Sequence, residues 1–224
     1  MPRALLLDLD DTLYDYHPAE AQARRVVTAL LSQDLGRPEA EVRHLWDEAR
    51  RAVKARVGPR GASHSRLLYL HDLAHRAGRV DLLPKVRQYD RAFWTAFLQT
   101  ARLRDGALDL LSAWKRAGHK IALVTDLTLD VQLWKLEHFD LLRWLDAVVV
   151  SEEVEADKPQ AAIFELAAAR LGVPLAQCVV LGDSPDRDIA GATALGLTSY
   201  LVRDSGAGPH AGRSLPEIAR ELCA

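Results

Sequence analysis

The stretch LLLDLDDTLYDY, close to the beginning of the chain, ends an aliphatic run abruptly in acidic residues. Asp8, Asp10 and Asp11 follow the run, and Thr12 comes directly after them. Carboxylates held this close together repel one another, and they lose hydration when the strand before them is buried. Because such crowding opposes folding, it indicates that these side chains perform chemistry or bind a cation.

Polar side chains also follow two later aliphatic runs. The stretch LVTD supplies Thr125 and Asp126, LGDSPDRD supplies Asp183 and Asp188, and EADKP places Lys158 before a predicted helix. Taken singly, each residue has an ordinary interpretation as a turn residue, a helix cap or a solvated side chain. Taken together they need a common explanation.

A shared sheet edge supplies that explanation. In open parallel sheets ligands bind at the carboxyl ends of the strands, so the acids, hydroxyls and amine are expected to meet there. Several carboxylates at one point would destabilise the fold unless a cation neutralised them. A hard divalent ion with oxygen ligands fits, and Mg²⁺ is the usual choice beside phosphate.

Five short aliphatic runs are predicted to be the strands that position these groups. They lack the polar and apolar alternation of a half-exposed strand, which favours a parallel sheet buried on both faces. The predicted strands are 4–9, 120–125, 147–151, 178–181 and 198–202. A helical pattern at 105–118 precedes the last four of them, and patterns at 129–142, 159–171 and 184–195 separate those four. This alternation predicts an α/β fold with a doubly wound parallel sheet.

A long helical stretch interrupts the alternation after the first strand. Apolar residues recur there at three- and four-residue spacing, as in Val26, Val27, Leu30 and Leu31. The predicted helices are 19–35, 39–57, 64–77 and 82–100. We therefore expect a sheet domain of residues 1–14 and 103–224 with an all-helical insert of residues 15–102. The insert leaves and re-enters beside the acidic cluster, so it is placed to act as a lid.

The four motifs DLDDT, VTD, DKP and GDSPDRD resemble, in order and spacing, those of the haloacid dehalogenase (HAD) superfamily. The match runs from residue 8 to about residue 196, and the insert resembles the helical C1 cap of the subfamily I phosphatase branch. The resemblance implies a HAD-like Rossmannoid core. It also implies that the chain is a Mg²⁺-dependent phosphomonoester hydrolase that acts through an aspartyl-phosphate.

The resemblance also implies roles for individual residues. Asp8 would be the nucleophile that attacks phosphorus, and Asp10 the general acid and base. Asp8 and Asp183 would bind the metal through carboxylate oxygens, and Asp10 through its backbone carbonyl. Asp188 would lie outside the ligands, orienting waters or Lys158, and Lys158 would be a further catalytic residue that offsets negative charge.

Phosphate binding is implied for Thr12, Thr125, Asp126 and Lys158. Asp126 departs from the family pattern, which usually has Asn there, and an acid beside phosphate is unfavourable unless it faces away. Arg187 stands where the fourth motif often has Asn, and we expect it to pair with a nearby carboxylate.

Asp10 distinguishes between the activities of the superfamily. A halide needs no protonated leaving group, so this acid argues against dehalogenation and favours phosphomonoester hydrolysis. Two alternatives remain open at this stage: a phosphomutase of the same superfamily, and a non-catalytic phosphoacceptor module in signalling. A closing cap implies a small phosphorylated metabolite as substrate.

The composition of the 224-residue chain narrows the remaining classes of partner. Hydrophobic residues make up 49% of it, enough for a substantial core, and the formal net charge of −2 gives no footprint for nucleic acid. No apolar run approaches the roughly 20 residues that a membrane helix needs. We expect a cytoplasmic monomer or homodimer, in which Cys178 and Cys223 are ordinary thiols.

Overall fold

The aliphatic runs form a single parallel sheet in the computed structural model, which describes residues 2–203 and 212–222. Within these residues the sheet has five strands in the order β3-β2-β1-β4-β5. The strands are β1 (Ala4–Leu7), β2 (Lys120–Thr125), β3 (Ala147–Val150), β4 (Cys178–Gly182) and β5 (Thr198–Leu201). The central strand β1 pairs with β2 and β4, so that Leu5 lies between Ile121 and Val179. The predicted α/β fold with a parallel sheet is confirmed.

The chain divides into two compact units, Met1–Asp15 with Arg102–Ala224 and Tyr16–Ala101. We call the first the core unit and the second the helical insert. Residues 204–211 and Cys223 lie outside the described residues, so the expectation for the Cys223 thiol is not addressed. Cys178 is a buried free thiol on β4, and burial raises its pKa to about 11.

Helices make up the insert. They are α1 (Tyr16–Leu35), α2 (Glu39–Val57), α3 (Arg66–Arg76) and α4 (Val86–Thr100). The helix expected at 64–77 begins two residues later, at Arg66. The Ser65 hydroxyl caps it by accepting a hydrogen bond from the Leu68 N–H at 3.3 Å. The helix expected at 82–100 begins at Val86, because Val80–Lys85 forms a 3₁₀ turn.

Aromatic side chains fill the interior of the insert. Trp46 stacks on Phe93 with ring centroids 5.8 Å apart, and Phe93, Trp94 and Phe97 are almost fully buried. The Arg66 guanidinium lies over the Trp94 ring, 5.2 Å from its centroid. These aromatic side chains therefore form the packed interior of the insert.

Helices of the core unit cover the sheet and follow its strands. They are α5 (Ala107–Arg116), α6 (Leu129–His138), α7 (Ser151–Val154), α8 (Ala161–Leu171), α9 (Ala190–Ala194) and α10 (Leu215–Leu222). On one face Ala4 and Leu6 pack with Ile163 and Phe164 of α8. Leu5 and Leu7 point to the opposite face and are equally buried. Burial on both faces explains why the strand sequences are continuously apolar.

Three predicted core helices begin differently in the structure. The helix expected at 105–118 starts at Ala107. The helix expected at 159–171 starts at Ala161, because Lys158 and Pro159 lie in a turn. The helix expected at 184–195 is a π-helical turn, Pro185–Ile189, followed by the short α9. The Ser184 side chain makes no capping bond to this turn, and the Ser184 N–H donates to the Asp188 carboxylate at 3.1 Å. These turns bring Lys158 and Asp188 to the sheet edge.

Candidate active site

Asp8 lies directly after β1 at the centre of the sheet, with only 6% of its surface exposed. Its N–H donates to the Leu181 carbonyl at 2.9 Å, which fixes the backbone against β4. Its Oδ1 accepts a hydrogen bond from Lys158 Nζ at 2.7 Å, and its Oδ2 accepts one from the Thr12 hydroxyl at 2.6 Å. Both oxygens of this buried carboxylate are therefore held by named partners.

Lys158 joins the acidic groups at this edge. Its Nζ lies 2.7 Å from Asp8 Oδ1 and 2.7 Å from Asp188 Oδ1, and it donates to the Val124 carbonyl at 3.1 Å. Burial by itself would lower the pKa of Lys158, but the two carboxylates outweigh burial and raise that pKa. The amine is thus held as a cation between two acids.

Asp8, Asp183 and Asp188 form a cluster in which one carboxylate oxygen from each residue lies within 4.8 Å of the others. Burial raises the pKa of Asp8 well above its usual value, although Lys158 acts in the opposite direction. Burial and the Asp188 carboxylate raise the pKa of Asp183. The nearby positive charge is therefore not enough to stabilise the carboxylate forms of Asp8 and Asp183. A hard cation with oxygen ligands fits this donor set.

Asp188 lies closer to Asp8 and Asp183 than its predicted place outside the metal ligands requires. Its carboxylate contacts Lys158, and it also belongs to the three-acid cluster. It is therefore a candidate metal ligand in its own right, and its placement outside the ligands stays a prediction.

Thr125 and Asp126 follow β2 and are both buried. The Thr125 hydroxyl oxygen accepts a hydrogen bond from the Gln132 side chain at 2.6 Å. Asp126 accepts the Lys158 backbone N–H at 2.8 Å and lies 3.3 Å from an Arg187 nitrogen, so the expected pairing of Arg187 is present. Burial raises the pKa of Asp126. The Asp126 carboxylate thus holds the Lys158 turn, and its predicted phosphate contact stays a prediction.

The Asp10 side chain contacts α6. Both carboxylate oxygens lie 2.8 Å from Lys135 Nζ, and the Tyr14 hydroxyl donates to Oδ1. The sequence interpretation did not single out Lys135 or Gln132. The spacing shows only that two polar residues three positions apart share a helix face, and the burial of both residues is visible only in the structure.

Residues 2–196 match the family model of the haloacid dehalogenase-like hydrolases, and the chain belongs to this family. It is 36% identical to a ribulose-1,5-bisphosphate 5-phosphatase from Halopiger xanaduensis, over 92% of this chain and 86% of that protein. It is 33% identical to a glyceraldehyde 3-phosphate phosphatase from Methanopyrus kandleri, over 91% and 84% of the two chains. The family membership and enzyme class predicted from the motifs are confirmed.

The fold is also found among solved structures. A HAD phosphatase from Thermococcus onnurineus superposes with a TM-score of 0.73 at 23% identity, over 98% of this chain and 97% of that one. In the part of the chain that the structure describes, every helix is too short or too polar to cross a bilayer.

Proposed function

We propose that this protein is a Mg²⁺-dependent phosphomonoester hydrolase that uses Asp8 as its nucleophile. The observation that carries the proposal is the buried Asp8 carboxylate, held by Lys158 and Thr12 with Asp183 and Asp188 beside it. The phosphatase relatives support the reaction class.

The first step forms an aspartyl-phosphate on Asp8. A carboxylate oxygen of Asp8 bonds to phosphorus while the bond from phosphorus to the ester oxygen breaks. Asp10 gives a proton to that oxygen, which leaves as an alcohol. Lys158 and the hydroxyls of Thr12 and Thr125 offset the charge on the phosphoryl oxygens.

The second step regenerates the enzyme. Asp10, now a carboxylate, takes a proton from water, and the water oxygen attacks phosphorus as the bond to Asp8 breaks. Inorganic phosphate leaves and Asp8 is free again. The same residue thus serves as acid in the first step and as base in the second.

The metal ion would be held by the carboxylates of Asp8 and Asp183, with the Asp10 backbone carbonyl as a further ligand and Asp188 as the next candidate. When bound, Mg²⁺ would supply positive charge to the phosphate and to Asp8. The raised pKa values of Asp8 and Asp183 support a cation at this position.

The substrate is a small phosphorylated metabolite, and sugar and triose phosphates are the first compounds to test. The supporting observation is that the two relatives are named for ribulose 1,5-bisphosphate and glyceraldehyde 3-phosphate. We also propose that the helical insert is the cap that selects among such substrates.

The deciding experiment measures release of inorganic phosphate from a panel of sugar, triose and nucleoside monophosphates. We expect Mg²⁺-dependent release that EDTA stops and added Mg²⁺ restores. Asp8→Asn should lower the rate by about 10³-fold or more, because it removes the nucleophile. Asp109→Asn makes the same chemical change on the exposed surface of α5 and should leave the rate unchanged.

Two results would contradict the proposal. Substantial release by Asp8→Asn would remove Asp8 as nucleophile, and full activity in EDTA would remove the metal. The intermediate is checked separately, since enzyme quenched in acid during turnover should carry a phosphate that hydroxylamine displaces. A stable, hydroxylamine-resistant phosphate would exclude an acyl phosphate.

A further inference from the structure

The Asp10 side chain is fixed by a two-point contact with Lys135. The ammonium lies 2.8 Å from each carboxylate oxygen. The Lys135 side chain is 0% exposed, whereas that of Asp10 is 23% exposed. One side of the carboxylate is therefore occupied by a buried cation, and another side stays open to solvent.

Tyr14 restrains the same carboxylate from a second direction. Its hydroxyl donates to Asp10 Oδ1, and its buried ring packs against Phe139 with centroids 5.1 Å apart. Two buried donors therefore fix the orientation of the Asp10 carboxylate in this structure.

The buried ammonium of Lys135 is costly as a purely structural feature. Removing a charge from water is unfavourable, and an apolar side chain of similar volume often serves stability equally well or better. Such a lysine on the inner face of α6 therefore suggests a role at the site it reaches.

Gln132, one helical turn earlier, contacts Thr125 from the same face of α6. α6 thus contacts two residues of the candidate site, Asp10 through Lys135 and Thr125 through Gln132. Neither Lys135 nor Gln132 belongs to the four motifs.

We propose that Lys135, assisted by Tyr14, is a positioning residue that acts through Asp10. It holds the carboxylate in one orientation, so that the exposed side is the one that exchanges protons with the leaving group and with water. This inference rests on the proposed function of Asp10 and adds a residue to it. Misplacing a reacting group by about 1 Å costs up to about 100-fold in rate.

The test is a double-mutant cycle between Lys135 and Asp10. Lys135→Met keeps an unbranched side chain and removes the ammonium. We expect kcat for hydrolysis of p-nitrophenyl phosphate to fall by about 100-fold, with little change in KM, since Lys135 acts on Asp10 rather than on the substrate. In an Asp10→Asn background the same substitution should have no further effect.

Two companion variants keep the test decisive. Tyr14→Phe should give a smaller loss that is likewise absent in the Asp10→Asn background, and it serves if Lys135→Met does not fold. Lys115→Met is the matched control, because Lys115 also lies 2.8 Å from both oxygens of one acid, Asp146, on the core unit. That variant should keep the wild-type kcat.

Effects of Lys135→Met and Asp10→Asn that multiply would overturn the inference, and so would an unchanged kcat in folded Lys135→Met and Tyr14→Phe. These results differ from failure of the proposed function. In that case Asp8→Asn would retain activity, whatever the Lys135 variants did.

Discussion

The acidic side chain of Asp126, at the candidate active site, accepts a hydrogen bond from the backbone of Lys158. The Lys158 N–H is buried and donates to the Asp126 carboxylate at 2.8 Å, while Arg187 lies 3.3 Å from its other oxygen. The carboxylate therefore fixes the turn from which the Lys158 amine reaches Asp8. An acid at this position is tolerated because its oxygens are already engaged.

Replacing Asp126 should separate this role from its charge. Asp126→Ala leaves the buried Lys158 N–H without its acceptor, and we expect a loss of about 1–3 kcal/mol in unfolding free energy together with reduced kcat. Asp126→Asn keeps an acceptor oxygen and should stay close to the wild-type protein in stability. Denaturant unfolding and phosphate release on both variants measure this, and equal losses in Ala and Asn would show that the charge is what matters.

At the residue scale, the sequence allowed prediction of the groups on the strand ends but not of their supports. The motifs identify Asp8, Lys158 and Asp183. The order of the strands brings all three to the carboxyl-end edge of the sheet, independently of side-chain rotamers. The contact of Lys135 with Asp10 depends on the rotation of α6 about its axis and on one lysine rotamer. No local pattern in the sequence encodes either of these.

At the scale of elements, the turn after β4 has the tightest steric requirement near the site. A Cβ added to Gly182 would lie 2.2 Å from Asp188 Cγ. The Asp188 side chain has no room to move aside, since it is buried and bonded to Lys158 and to the Ser184 N–H. Glycine at the end of β4 is thus required by the close approach of the Asp188 side chain.

Gly182→Ala is accordingly expected to disturb the site more than its size suggests. We expect a loss of about 1–3 kcal/mol from overpacking and a clear fall in kcat, because Asp188 must leave Lys158. Gly172→Ala is the control, since Gly172 has a φ of +62° and no atom within 4 Å of an added Cβ. It should cost about 1–2 kcal/mol in backbone strain without changing kcat. Similar kcat values for the two variants would contradict the steric argument.

The elements differ in how well their ends could be predicted. The strands were found within two residues at each end, because burial on both faces gives a continuous apolar run. The helix expected at 184–195 was wrong at its start, where Pro185–Ile189 forms a π turn. That turn is set by the tertiary contacts of the Asp188 side chain, and intrinsic helix preference does not report them.

At the scale of the whole molecule, ion pairs away from the site tie stability to pH. Asp146 lies 2.8 Å from Lys115 Nζ through both oxygens and accepts the Ile121 N–H at 2.8 Å. Burial acts to raise the pKa of Asp146, but Lys115 and the Ile121 N–H outweigh it and lower that pKa. In the unfolded chain an Asp titrates near pH 4. The pair therefore contributes its full stabilisation above about pH 4 and loses it as the pH falls through the lower pKa of the folded state.

Asp146→Asn should reveal this dependence. We expect the variant to be less stable than the wild-type protein at pH 7, and the difference to shrink as the pH is lowered from about 5 to about 2. Denaturant unfolding followed by tryptophan fluorescence measures it, and Asp109→Asn on the exposed surface of α5 is the control. A difference that grows toward acid pH would show that the pKa shift has the opposite sign.

The position of β1 in the sheet has a consequence for how the protein is made. Among the described strands, β1 is translated before the other four, yet it is the middle strand of the sheet, and its partners begin at Lys120 and Cys178. The residues of the insert, Tyr16–Ala101, emerge complete with their own aromatic interior before either partner exists. During synthesis the helical insert can therefore fold before β1 has a partner strand. The acidic cluster is assembled only after the last of its strands has been translated.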